Sequence, residues 1–258
     1  MVNRRFYEGL APSTGAFAKL RPMPALFRRR EVILPTLWGW LLVIALLGAA
    51  ATLLARHLGG WLAVSEPAAH PPAELLVVEG WLGERELDAA AAYARQHGYR
   101  RVVTTGGPIT SFSTYANYAE RAAQRLRKQL PDVPVEAVPT PATKQDRTYA
   151  SAVWVRDWSQ QRAMSATTID VYSLGPHARR TRILYRLAFG EATRVGVIAG
   201  TPHDSDTLRW WTSSEAAKMV LMEAASLAWT QCCFWPAPRG SHDERWGASQ
   251  QARPAPAP

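Results

Sequence analysis

From Ile33 to Ala55 the chain reads ILPTLWGWLLVIALLGAAATLLA, 23 residues without a charge. About 20 consecutive apolar residues let a helix cross the hydrocarbon core of a bilayer, and a helix buried in a soluble domain normally keeps a polar face that this run lacks. The flanks orient it. Residues 1–30 hold Arg4, Arg5, Lys19, Arg21, Arg28, Arg29 and Arg30 against the single acid Glu8, whereas after Arg56 no Lys or Arg occurs before Arg85. Basic clusters stay on the cytoplasmic side, and Trp gathers at both interfaces. Trp38, Trp40 and Trp61 stand in those places. The sequence therefore predicts a basic cytoplasmic segment at 1–32, one transmembrane anchor at 33–55, and everything beyond it outside the cytoplasm. In a bacterium that means the inner membrane, with the domain periplasmic or external. The small residues Gly48–Ala51 leave a cleaved signal peptide as the alternative.

The same flank explains the charge. The formal net charge of the 258 residues is +9, and the first 30 residues supply most of it. A surplus confined to a membrane flank argues against nucleic acid as a partner, because such binding needs basic residues spread over a folded surface. The two cysteines, Cys232 and Cys233, are adjacent. They close no loop and have no metal-ligand spacing. Two thiols on a final helix are the expectation, with a vicinal disulfide the alternative in an oxidising compartment. No metal site is expected, and the motifs name no cofactor or oligomeric state.

Residues 56–73 read as a linker and 236–258, rich in Pro, Ala and polar residues, as a disordered tail. Between them, strand-like and helix-like runs alternate. Strands are expected at 74–78, 101–105, 135–138, 169–174 and 194–199, and helices at 84–97, 114–129, 147–162, 176–189 and about 213–234. Strands joined by helices of this length pair in parallel through right-handed crossovers. The predicted fold is α/β: a Rossmann-like doubly wound, mostly parallel five-stranded sheet over 74–235, preceded by one transmembrane helix. The last helix is apolar over 219–235, so a second span is the alternative there. Its polar residues Glu223, Ser226, Thr230 and Gln231 favour packing on the sheet.

Ligands of such sheets bind beyond the carboxyl ends of the strands, where the strand order reverses. With the order 3-2-1-4-5 the first and fourth strands are neighbours, and Glu79 stands beside Ser173 and His177. In the stretch SLGPHARRT (173–181), Pro176 suits the first helical position. A buried stripe through Ile183, Leu184, Leu187 and Ala188 turns His177 and Arg180 toward the sheet edge, and leaves Arg179, Arg182 and Arg186 in solvent. The amino end of that helix favours anions, and an Arg fork can hold phosphate or carboxylate bidentately. These residues predict an anionic-ligand site with His177 and Glu79 as catalytic acid or base. Arg180, Ser173, Thr105, Gly106, Gly107, Arg147 and Thr148 are its ligand-binding candidates. The alternatives are an Arg180–Glu79 pair that only closes the sheet edge, Gly106-Gly107 as an ordinary turn, and Thr148 as a helix cap. His203-Asp204 lacks a third metal ligand.

These motifs carry a resemblance. The strand ending in VVEGW (77–81), TTGGP (104–108), DRTYASA (146–152), SLGPHARRTRILY (173–185) and RWWTSSEAAKMVLMEA (209–224) together resemble the family typified by SanA, ElyC and YdcF, in the branch that uses Glu-Gly-Trp. The resemblance covers about 74–234 and places the family's His-x-x-Arg signature at His177 and Arg180. It implies membrane anchoring and a role in cell-envelope integrity, in surface glycan, peptidoglycan or lipid-carrier metabolism. The expected ligand is then an anionic small molecule or a lipid-linked glycan. One member is reported to bind S-adenosylmethionine, which leaves a transferase as a further alternative, and a non-catalytic envelope regulator or scaffold is another. The chain departs from the family after its third strand, where Arg147, Thr148 and Tyr149 stand in place of the usual Ser/Thr-x-Thr-x-Glu-Asn.

Overall fold

The computed structural model describes residues 34–246 apart from 69–72, 110–112, 144–145, 163 and 165–166. The basic segment at 1–32 and residues 247–258 lie outside the described residues. The chain divides into two compact units, Met1–Ala45 and Leu46–Pro258. The described part of the first is the short lead-in and opening turns of helix α1 (Leu37–Leu62).

In the second unit the alternating runs fold as alternating elements. The strands are β1 (Leu75–Glu79), β2 (Arg101–Gly106), β3 (Val135–Pro139), β4 (Thr168–Leu174) and β5 (Arg194–Gly200). The helices are α2 (Glu84–His97), α3 (Tyr118–Gln129), α4 (Arg147–Gln161), α5 (Ala178–Phe189), α6 (Ser214–Cys232) and the short α7 (His242–Trp246). All strand pairs are parallel, in the order β3-β2-β1-β4-β5. Side chains alternate across a strand, so each strand feeds two cores. Leu76, Val78, Val102, Tyr172 and Ile198 pack with α2 and α3, while Leu75, Val77, Val103, Ile169 and Val171 pack with α4 and α5. This alternation sends Glu79, Thr105 and Ser173, two residues beyond Val77, Val103 and Val171, to the α4–α5 side. The buried stripe of α5 is Ala178, Thr181, Leu184, Tyr185 and Ala188. The expected stripe needs correction at Leu187, which is exposed, and at Ile183, which packs instead with α1 and α6.

Helix α1 runs a full two turns beyond the expected anchor, and it is long and apolar enough to cross a membrane. Its last turns are packed. Leu58 and Leu62 join Ile183, Trp210, Val220, Ala224 and Leu227, and the Trp210 indole donates to Ala55 O at 2.8 Å. Gly59 permits this contact, since a Cβ there would lie 1.9 Å from Thr207 O. Beyond α1, Glu66 bridges antiparallel to Val197, Ser65 accepts from Ala199 N–H, and Ala68 N–H donates to Asp170. Residues 56–68 are therefore not a free linker. The physical reason is that β5 is an edge strand whose unpaired backbone groups recruit a partner.

Helix α6 packs on the domain through Ala216, Val220, Leu227 and Thr230. Cys232, its last residue, and Cys233 are joined as a vicinal disulfide, not left as two thiols. Cys233 has already left helical geometry, with φ −133°. The expected disordered tail also needs correction over 236–246. Its Glu244 is buried against α4, accepting from both terminal nitrogens of Arg156 (2.7 and 2.8 Å) and from the Tyr149 hydroxyl (3.0 Å). Asp157 accepts from Arg156 Nε and Nη2, Ala188 O accepts from Nη1, and Asp157 also binds Arg245. A composition that is polar overall is ordered here by one buried ion cluster. Breaking such a cluster by removing one partner costs about 3–5 kcal/mol. Glu244→Ala, which strands Arg156, is expected to lower the unfolding free energy of the purified chain by about 3 kcal/mol or more in a urea titration.

Candidate functional site

The site forms where β1 and β4 end side by side. Glu79 is the last residue of β1 and only 3% exposed. A buried carboxylate needs donors, and β4 and α5 supply them. Ser173 Oγ donates to Oε2 at 2.7 Å, and Thr181 Oγ1 donates to Oε1 at 3.2 Å. His177 Nε2 lies 3.5 Å from Oε1. These donors reach Glu79 because the chain turns sharply after β4. Gly175 adopts φ +43°, a conformation that favours glycine, and a 3₁₀ turn over Gly175–His177 carries Pro176 at its start. His177 thus enters immediately before α5, with Thr181 one turn on.

A second layer holds the imidazole. Glu223 of α6 accepts from His177 Nδ1 at 2.9 Å. The same carboxylate takes Arg180 Nε at 2.9 Å, and Arg180 Nη1 reaches Asp146 at 3.1 Å. Asp146 is the N-cap of α4, accepting from Thr148 N–H and Tyr149 N–H. Trp81 closes one side, its ring edge-on to His177 with centroids 5.3 Å apart. Each residue of Glu-Gly-Trp therefore has a task. Glu79 anchors the polar cluster and Trp81 walls it. Gly80 lets the chain pass α3, where a Cβ would fall 2.5 Å from Tyr118 O.

Burial by itself would lower the pKa of His177, but the charge of Glu79 and the hydrogen bond to Glu223 outweigh it and raise the value to about 9. His177 is then an imidazolium at neutral pH, with both ring nitrogens donating. Burial would raise Glu223, and the His177 hydrogen bond together with Arg180 instead holds it at about 2. Nδ1–H has its acceptor in Glu223. Among the described residues, Nε2–H meets Thr148 Oγ1 at 3.4 Å and its ion-pair partner Glu79 at 3.5 Å, both long contacts.

The structure brings together Glu79, Ser173, His177, Arg180 and Thr148 of the predicted residues. Thr105 stands beside Glu79 in the strand register, and its fully buried hydroxyl has no hydrogen-bond partner among the described residues. Thr148 is not the cap of α4, a role Asp146 takes because it precedes the helix and its carboxylate reaches two N–H groups. Arg147 is exposed and outside the cluster. Gly106 and Gly107 pack against Tyr118 and Thr140 instead. Arg180 is not paired with Glu79, and its fork is taken by Glu223 and Asp146. Arg179 and Arg182 are not free in solvent either: Arg179 donates to Trp61 O at 2.6 Å, and Arg182 pairs with Glu66. Glu223, Asp146 and Thr181 were missing from the predicted set. The available signal for Glu223 was a lone acid in the apolar part of α6, and for Thr181 its place one turn after His177. A cavity of about 830 Å³ opens elsewhere, at the amino edge of the sheet between the α5–β5 turn and residues 236–239. None of the predicted site residues lines it.

No protein-family model matches the chain, and no curated protein matches its sequence.

The ion cluster predicts a pH dependence. His177 has a folded pKa above its ordinary 6.5, so its contribution is complete below about pH 6.5 and is lost as pH rises through about 9. Glu223 has a depressed pKa, so its contribution holds above the ordinary carboxylate range and is lost only in strong acid. Thermal unfolding is expected to show stability falling between about pH 6.5 and 9, and His177→Gln is expected to flatten that fall. An unchanged slope in the variant contradicts the assignment.

Proposed function

We propose that this chain is a membrane-anchored cell-envelope protein of the family typified by SanA, ElyC and YdcF. In this reading its α/β domain lies outside the cytoplasm and binds a phosphate-bearing ligand of surface-glycan, peptidoglycan or lipid-carrier metabolism. The orientation rests on the basic residues at 4–30 and the stretch 57–84, which has no Lys or Arg.

One observation carries the ligand assignment: a buried imidazolium at the carboxyl end of β1 and the start of α5, whose Nε2–H makes only long contacts, 3.4 Å to Thr148 Oγ1 and 3.5 Å to Glu79. An oxyanion placed there gains a charge-assisted hydrogen bond and the dipole at the amino end of α5, within reach of the Thr148 hydroxyl. Arg180 has a different part from the one its sequence position suggests. It holds Glu223 and Asp146 in place, and these in turn orient His177 and start α4. Because His177 is already protonated at neutral pH, its chemistry is that of a general acid, giving a proton to a leaving oxygen while Glu79 stabilises the imidazolium. Ser173 and Thr181 keep Glu79 oriented. A second reading, a non-catalytic regulator or scaffold, is favoured by the closure of the cluster, in which every carboxylate is already paired.

The test uses the full chain in detergent micelles with a short-chain polyprenyl phosphate and the matching neutral polyprenol. Wild type is expected to bind the phosphate in preference to the alcohol. His177→Ala should weaken that binding by about tenfold or more, the worth of a hydrogen bond to a charged group. Equal affinity for phosphate and alcohol overturns the ligand assignment. Binding without chemical change, followed by mass spectrometry over hours, selects the regulator.

A further inference from the structure

We infer that the domain does not hang from its anchor but seats one face on the bilayer, through Trp61, Leu208 and Trp211. The inference rests on reading α1 as a membrane span and goes beyond it, because an anchor alone leaves a domain free to tumble.

Depth follows from the contacts of α1. The charge-free run ends at Ala55, so Ala55 stands where hydrocarbon gives way to headgroups. The Trp210 indole donates to Ala55 O, and Gly59 touches Thr207 backbone. The turn Trp210–Thr212 and the loop before it are thereby bound at the depth of that boundary. Trp61 lies six residues past Ala55, about 9 Å along the helix axis, so its backbone stands just past a headgroup layer roughly 5–7 Å thick, and a helical side chain leans back toward the amino end and that layer.

The exposed side chains at this depth are of the kind that partitions there. Leu208 is 65% exposed, Trp61 50% and Trp211 45%. They surround one spot, since a Cβ at Gly60 would lie 3.4 Å from Leu208 Cδ2 and the Arg56 guanidinium lies 5.7 Å from the Trp211 ring. Arg56 adds a cation beside them, which suits anionic headgroups, while Arg209 is paired with Asp206 at 2.8 Å. Indole rings prefer this interfacial zone. In water these exposed apolar side chains gain nothing, whereas in the interface they are solvated by lipid.

The seating has a consequence for the site. Arg179, two residues after His177, donates to Trp61 O and stacks over its ring at 4.1 Å. The start of α5 is therefore tied directly to the interfacial end of α1. The carboxyl edge of the sheet faces the membrane, and the ligand class this selects is an anionic headgroup borne by a lipid.

The test uses the full chain with Cys232→Ser and Cys233→Ser, carrying one fluorophore on Leu208→Cys, Trp211→Cys, Leu47→Cys or Glu191→Cys. Each protein is labelled in detergent and reconstituted into phosphatidylethanolamine–phosphatidylglycerol vesicles containing lipid nitroxide-labelled on the upper acyl chain. The expected result is a loss of emission at 208 and 211 of half or more of the loss at 47, with Glu191, at the opposite edge, unquenched. Strong quenching at 47 with 208 and 211 as unquenched as 191 overturns the seating and leaves the anchor intact. Absence of quenching at 47 overturns the anchor, and the seating with it.

Discussion

A carboxylate at the end of a central strand cannot stay buried without donors, and the region around β1 and β4 is arranged to supply them. Glu79 draws Ser173 from β4 and Thr181 from α5, and it faces the imidazole of His177. His177 becomes a cation in this company, and a buried cation needs a second counter-charge. Glu223 provides it from α6, a helix far away in sequence. Arg180 then binds Glu223 to Asp146 at the start of α4. Four elements are thus held at one point by a chain of alternating charges that begins with a single residue.

That chain also connects the site to the long apolar helix α1. The face of α6 that bears Glu223 is continuous with the face, through Val220, Ala224 and Leu227, that receives Leu58 and Leu62 of α1. Arg179 adds a direct link from α5 to Trp61. The end of an apolar helix and the polar cluster at the carboxyl edge therefore share their supporting residues. A site held this way has a fixed relation to the last turns of α1.

The elements of the α/β domain were legible in the sequence because they depend on local periodicity. The helix 84–97 is recognisable from Leu87, Ala90, Ala91 and Ala94 and its closing glycine, and it forms over those residues. The grouping of Glu79, Ser173 and His177 was legible too, since the strand order places the ends of β1 and β4 together. The partner of Arg180 was not. Nothing local distinguishes an arginine that meets Glu79 from one that meets Glu223, because the answer depends on where α6 packs. The same holds for Glu244, which sits in a stretch whose composition suits disorder and is buried only because Arg156 on α4 waits for it.

The sequence by itself determined the elements of the parallel sheet and the long apolar helix, since periodicity and length act along the chain, and it placed β1 beside β4 only on the condition of the order 3-2-1-4-5, which the tertiary structure has. Only the tertiary structure decided which charges meet. It gave Glu223 and Asp146 to Arg180, bound residues 56–68 to the edge of β5, and placed the last turns of α1 against α6. The physical reason is range. Backbone periodicity is set by neighbours a few residues apart, whereas the pairing of buried charges is set by whichever opposite charge packing brings within about 3 Å.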